Sequence, residues 1–310
     1  MADKIATRQA YGEALVELGA EYDNLVVMDA DLSGSTKTGM FAKEFPDRFF
    51  NMGIAEQNMY GAAAGLALSG KVVCASTFAI FAAGRSFEII RNSIGYTGAN
   101  VKICASHAGI TVGEDGASHQ TFEDIALMRT IPGMTVVNPS DAVATKKLMT
   151  QILKMEGPCY FRIGRAAVPV FYDENDEIVL GRANTIREGK DVTIVATGIM
   201  VNEAFEAAKV LEREGIDARV IDIHTIKPID EEIIIRAAVE TGAIVTAEEH
   251  GIIGGLGEAV AHVVVNNEPC RIEMVGQLDT FGESGKPDEL RKKYHMTAED
   301  IVEAVKKVRK

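Results

Sequence analysis

Short apolar runs rich in valine, isoleucine and alanine alternate with longer stretches of helical periodicity along almost the whole chain. In the first half the runs Leu25–Met28, Val72–Ala75, Val101–Ala105, Thr135–Val137 and Tyr160–Arg162 read as strands. Helical patterns fall between them at about Arg8–Leu18, Ala55–Leu68, Phe81–Gly95, Phe122–Met128 and Asp141–Lys154. Such alternation predicts βαβ units, hence an α/β fold whose sheets are mainly parallel and covered by helices on both faces. Ser140 is placed to cap the Asp141 helix, and Gly157-Pro158 stops the chain after it.

From Tyr172 to Lys190 the pattern changes. Charges accumulate (Asp173, Glu174, Asp176, Glu177, Arg182, Arg187, Glu188) and strong core signals thin out. Residues 171–190 therefore read as a linker between a first domain, 1–170, and a second, 191–310. Beyond it, strands are expected at Val192–Ala196, Ala218–Asp222, Ala243–Ala247 and Arg271–Met274. Helices are expected at Val201–Glu214, Asp230–Glu240 and Gly254–Val265. Pro228 fixes φ just ahead of Asp230, a good capping acid. The whole reads as two doubly wound domains.

The 310 residues carry 32 Lys+Arg against 45 Asp+Glu, a formal net charge of −13. With no basic block, non-specific nucleic-acid binding is not expected. No apolar run reaches the ~18 residues of a membrane helix, and the first residues lack the basic-then-apolar pattern of a signal peptide. Cys74, Cys104, Cys159 and Cys270 are scattered, with no paired spacing, and read as buried reduced thiols rather than a disulfide frame or zinc site. A cytoplasmic protein is the simplest expectation.

Four segments could carry chemistry. The densest is His107-Ala108-Gly109 through Gly113-Glu114-Asp115-Gly116 to Ser118-His119-Gln120, which follows a strand, where ligands of open parallel sheets bind. Its alternative is a charged surface turn. Second, Glu56 opens an alanine- and glycine-rich helix; it is either a shielded carboxyl or an ordinary exposed helix-start acid. Third, Phe78 and Phe81 lie three residues apart and form a flat wall for a planar ring, or simply core. Fourth, Arg8, Arg162, Arg165 and the run Asp29–Lys37 suit a phosphate, since planar forks and hydroxyls match its oxygens, although each taken alone reads first as an ordinary surface group. Gly254-Gly255-Leu256-Gly257 is a strand-to-helix packing turn rather than a nucleotide loop, and Glu248-Glu249-His250 a salt-linked strand end rather than a metal site.

Taken in order, several pieces together resemble the pyrimidine-binding domain of transketolases. They are Arg8, Asp31-Leu32-Ser33-Gly34-Ser35, Ile54-Ala55-Glu56-Gln57-Asn58, Ser76-Thr77-Phe78-Ala79-Ile80-Phe81, Gly113-Glu114-Asp115-Gly116 with His119-Gln120, Asn138-Pro139-Ser140-Asp141 and Gly164-Arg165. Glu248-Glu249-His250 with Ile253-Gly254-Gly255-Leu256-Gly257 is similar to the C-terminal domain of the same enzymes. The family's pyrophosphate-binding domain has no counterpart here. The resemblance therefore implies the C-terminal subunit of a split transketolase. A separate N-terminal subunit would hold Mg²⁺ or Ca²⁺ and the diphosphate of thiamine diphosphate, in an α2β2 heterotetramer acting on sugar phosphates.

By the same resemblance, a shielded, protonated Glu56 bonds the aminopyrimidine ring and primes a thiamine diphosphate carbanion for transfer of a two-carbon ketol unit. Phe78 and Phe81 pack on that ring, and Asp31 and Leu32 neighbour the cofactor. Gly84 stands where some relatives carry a third aromatic. Asp115 accepts a sugar hydroxyl, and His107 and His119 bind hydroxyls or the developing oxyanion. Arg8, Ser35 and Arg165, with His107, form the sugar-phosphate clamp; the family often has a serine where Gly164 precedes Arg165. The C-terminal domain is structural or regulatory. Alternatives are a 1-deoxyxylulose-5-phosphate synthase-like enzyme, which usually has histidine where this chain has Asn58, a 2-oxoacid dehydrogenase β-subunit, or a scaffold that merely binds the cofactor.

Overall fold

A computed structural model describes residues 3–309. Its larger sheet has seven strands in the order Thr225–Lys227, Thr135–Val137, Cys159–Arg162, Val101–Ser106, Val72–Phe78, Leu25–Asp29 and Phe49–Asn51. All neighbours are parallel except the first pair, which is antiparallel. A five-stranded sheet follows the order Arg271–Gln277, Ala243–Gly251, Val192–Ala196, Ala218–Asp222 and Asn184–Arg187, the last strand antiparallel. The expected α/β architecture of mainly parallel sheets is present.

Side-chain alternation explains the layering. Leu25 and Val27 face one side of the larger sheet, against Leu15 and Leu18 of helix Thr7–Glu21 and Leu148 and Ile152 of helix Ala142–Lys154. Val26 and Met28 face the other, against Met59 and Ala63 of helix Glu56–Leu68. The period of two in the strands sends consecutive residues to opposite cores. The second core continues without a break into the smaller sheet through Ile221, Ile223 and Ile226.

Four local features differ from the sequence reading. Residues 171–190 include the strand Asn184–Arg187, an edge of the smaller sheet whose four residues are all half-buried and so give no clear alternation. Thr225–Lys227, from the second half of the chain, extends the larger sheet, so backbone hydrogen bonds cross between the two units. Asp141, not Ser140, caps its helix by accepting from Ala144 N at 2.8 Å; the Ser140 hydroxyl donates to Asp222 at 2.6 Å. The Phe81–Gly95 pattern is helical but broken, with wide π-type turns at Phe81–Arg85 and Ile90–Gly95 either side of Phe87–Ile89. Asp230 caps helix Glu231–Thr241 as the proline-acid pattern predicts. The four cysteines are free, three of them buried.

Candidate active site

Three adjacent parallel strands, Leu25–Asp29, Val72–Phe78 and Val101–Ser106, end on one edge of the larger sheet, and the loops after them carry most of the candidate residues. This is the edge where such sheets hold ligands. After the first strand, buried Asp29 accepts from Leu32 N, from Thr36 Oγ1 at 2.6 Å and from Thr38 Oγ1 at 2.8 Å. Burial raises its carboxyl above the usual range, and these three donors offset only part of that rise. Asp29 thus ties down the loop bearing Asp31, Leu32 and Ser35. Sequence reasoning placed it only within a polar run; an acid ending an otherwise apolar strand was the available signal.

Asp31 and His107 both have positive φ, +65° and +58°. Such conformations cost of order 1–3 kcal/mol in a non-glycine residue and cluster at functional sites. Asp31 is exposed and accepts from Asn51 at 3.0 Å. His107 is 2% exposed and stacks on Phe78 with ring centroids 3.8 Å apart. Desolvation, reinforced by the charges of Arg8 and Arg165, pushes its imidazole down to about 3, so it is neutral near pH 7. Its Nε2 lies 3.3 Å from Arg8 Nη1, which can only donate; Nδ1, 2.9 Å from Ser106 Oγ, then carries the proton. Both ring nitrogens are therefore engaged.

Arg8 also donates to Ser35, but to its main-chain carbonyl at 2.9 Å, not to the hydroxyl expected in a clamp. Arg165 donates to Glu114 at 2.7 Å and to the Val112 carbonyl, holding the loop rather than standing free. Arg162, offered with these two as a phosphate group, is 3% exposed and committed to Asp124 at 2.7 Å and to the Glu249 carbonyl at 2.8 Å. It is a structural cation, and that expectation is corrected.

Phe78 and Phe81 stack with centroids 6.0 Å apart and planes 14° from parallel. His119 meets Phe81 edge-on at 5.5 Å; its Nδ1 is 2.9 Å from Ser118 Oγ, and its Nε2 has no partner among the described residues. Asp115 lies exposed in the same loop. Beyond Phe81, Glu56 is 3% exposed at the start of helix Glu56–Leu68, so of the two readings the shielded one holds. Both its carboxylate oxygens accept from Arg85 Nη1 at 2.9 Å, and the Arg85 Cζ stands 4.5 Å above the Phe81 ring. Arg85 was missed by the sequence reading; its place four residues after Phe81, on the same helical face, was the signal.

The smaller domain braces the loop. Glu249 Oε1 accepts from Thr111 N at 2.6 Å, and a Cβ at Gly109, where φ is +78°, would collide with the Glu249 carboxyl. Gln120 donates to the Glu283 carbonyl at 2.9 Å. Glu248 accepts from Leu256 N at 2.7 Å and Gly257 N at 2.8 Å, the open start of a helix, while His250 accepts from Ala126 N at 3.3 Å. Glu248-Glu249-His250 is therefore a buried bracing set. No cluster of three or more metal-ligand side chains exists among the described residues, and no helix is long and apolar enough to cross a membrane.

Residues 3–170 match the family of the transketolase pyrimidine-binding domain, and residues 181–301 the transketolase C-terminal domain. A Methanocaldococcus jannaschii protein provisionally named a transketolase C-terminal section is 52% identical over 301 residues, 96% of this chain and 94% of the relative. A Clostridium protein named a 6-deoxy-6-sulfo-D-fructose transketolase subunit is 44% identical, over 97% of this chain and 94% of its own length. A solved structure described as a split gene transketolase, an inactive beta4 tetramer, superimposes with a TM-score of 0.93 at 57% identity, covering 98% of both chains. The two domains, their order and their loops make this chain a member of the transketolase family, whose domains imply use of thiamine diphosphate.

Proposed function

We propose that this chain is the C-terminal subunit of a two-subunit transketolase that moves a two-carbon ketol unit from a ketose phosphate to an aldose phosphate. The observation carrying this reading is the pairing of Glu56, 3% exposed, with the nearly parallel Phe78 and Phe81 rings. A shielded carboxyl beside a flat aromatic wall fits a planar ring bearing a basic nitrogen, which is the chemistry of an aminopyrimidine. Bound thiamine diphosphate would supply a nucleophilic ring carbon and an electron sink.

On this reading Glu56 holds a proton at the ring nitrogen, Phe78 and Phe81 set the ring plane and exclude water, and Asp31 and Leu32 border it. His119, with its unpartnered Nε2, donates to the oxygen on which charge develops. His107, held neutral with both nitrogens engaged, positions Arg8 instead. Arg8, Ser35 and Arg165 face the anionic end of the sugar, and Asp115 accepts one of its hydroxyls. Mg²⁺ or Ca²⁺ and the diphosphate are assigned to an N-terminal partner subunit, in a symmetric α2β2 assembly. The split-gene relative, described as inactive in its beta4 form, supports that division.

Co-expression with a chain bearing a pyrophosphate-binding domain, then addition of thiamine diphosphate and Mg²⁺, tests the proposal. Transfer from xylulose 5-phosphate to ribose 5-phosphate is expected only from the mixture. Transfer by this chain alone would contradict the split, and carbon dioxide release from a supplied 2-oxoacid such as pyruvate, with no transfer between the sugar phosphates, would contradict the reaction.

A further inference from the structure

The Arg85 guanidinium is a flat cation lying over the Phe81 ring and donating to both oxygens of Glu56. These are the two places by which the proposed function holds an aminopyrimidine: the face of an aromatic ring and the buried Glu56 carboxyl. Guanidinium suits both contacts because it is planar, delocalised and weakly hydrated. The two occupants compete for the same carboxyl group.

Little else retains the side chain. Nη1 alone bonds to Glu56, no other hydrogen bond of the guanidinium occurs among the described residues, and 47% of the side chain is open to solvent. The backbone is the anchored part, since Gln57 Nε2 donates to the Arg85 carbonyl at 3.0 Å. Gly84 beside it places no side chain in the way, and the helix breaks at Ser86 directly after it. A fixed backbone with a lightly held side chain is free to swing outward by rotamer change alone.

We propose that Arg85 is a displaceable stand-in for the cofactor ring: it neutralises buried Glu56 while the cofactor is absent and must leave before the ring can bind. The inference rests on the function proposed above and adds a gate to it. Emptying the cofactor site would otherwise leave the buried Glu56 carboxyl without its hydrogen-bond partner. With Arg85 in place the empty chain is stable, at the expense of part of the cofactor's affinity.

The test is calorimetric titration of thiamine diphosphate, with Mg²⁺, into the purified two-subunit complex carrying Arg85, Arg85→Met or Arg85→Lys. Loss of one half-exposed ion pair and one cation–π contact from the competing state should tighten binding about tenfold in Arg85→Met. Arg85→Lys, which keeps the charge but not the planar face, should fall between. In a Glu56→Gln background the Arg85→Met gain should vanish, because the stand-in has lost its anchor. Thermal melting of each free chain checks that folding is intact. Unchanged or weaker cofactor binding in Arg85→Met, with a normal melt, would overturn the inference while leaving the transketolase reading standing. A wild-type complex that binds no thiamine diphosphate would overturn both.

Discussion

Arg162 and Arg85 each grip a buried acid, yet the two pairs are built in opposite ways. Arg162 is enclosed: Asp124 meets it at 2.7 Å, Tyr160 donates to the same carboxylate at 2.7 Å, and the Glu249 carbonyl takes a further N–H. Burial pushes the Asp124 carboxyl up, but Arg162 and its neighbours outweigh that and hold it below the usual range. Arg85 instead meets its acid through a single nitrogen with half its side chain in water. A saturated, dry pair fixes the seam between the two domains; an under-used, half-solvated one marks a place where something else is meant to bind.

The largest expected effect follows from removing each arginine in turn. Arg162→Met leaves Asp124 buried without its cation and should lower the unfolding free energy by about 3–5 kcal/mol, read by denaturant titration of the free chain. Arg85→Met should cost less than about 1 kcal/mol, because its pair is solvent-screened. Equal losses would erase the distinction between scaffold and site.

A third acid sharpens the contrast, since it sits at the same seam with no cation beside it among the described residues. Asp222 accepts from Ser140 Oγ at 2.6 Å and Tyr172 OH at 3.0 Å, and burial pushes its carboxyl up to about 7. A folded-state value raised above the unfolded one means stability that is present at low pH and lost as pH rises through about 7. Wild-type chain should therefore lose stability between pH 6 and 8 relative to Asp222→Asn, by about 1–2 kcal/mol at pH 8. Melting curves at both pH values read the difference, and a parallel response of the two proteins would contradict it.

Much of this was legible in the residues themselves. The apolar runs marked the starts of the central strands to within a residue, because those strands are buried on both faces and open on an uninterrupted hydrophobic signal, while Val72–Phe78 and Ala243–Gly251 run three and four residues past the expected ends. The half-buried edge Asn184–Arg187 and the short crossover strand Thr225–Lys227 were not, because pairing at an edge depends on a distant partner more than on local pattern. Glu56, Phe78, Phe81, His107 and His119 were singled out by their motifs, and the structure brings them along one sheet edge. Arg162 was misread and Arg85 missed for a common reason. An arginine's role depends on which acid folds against it, and Asp124 and Glu56 lie 38 and 29 positions away in sequence.

The central claim is that Glu56 is the shielded acid that primes the cofactor, and Glu56→Gln in the two-subunit complex tests it most directly. Ketol transfer should fall by at least about a hundredfold, the range expected for loss of a positioned proton-holding group, while the melting curve of the free chain barely moves. Transfer at near wild-type rate in a folded Glu56→Gln complex would contradict the account.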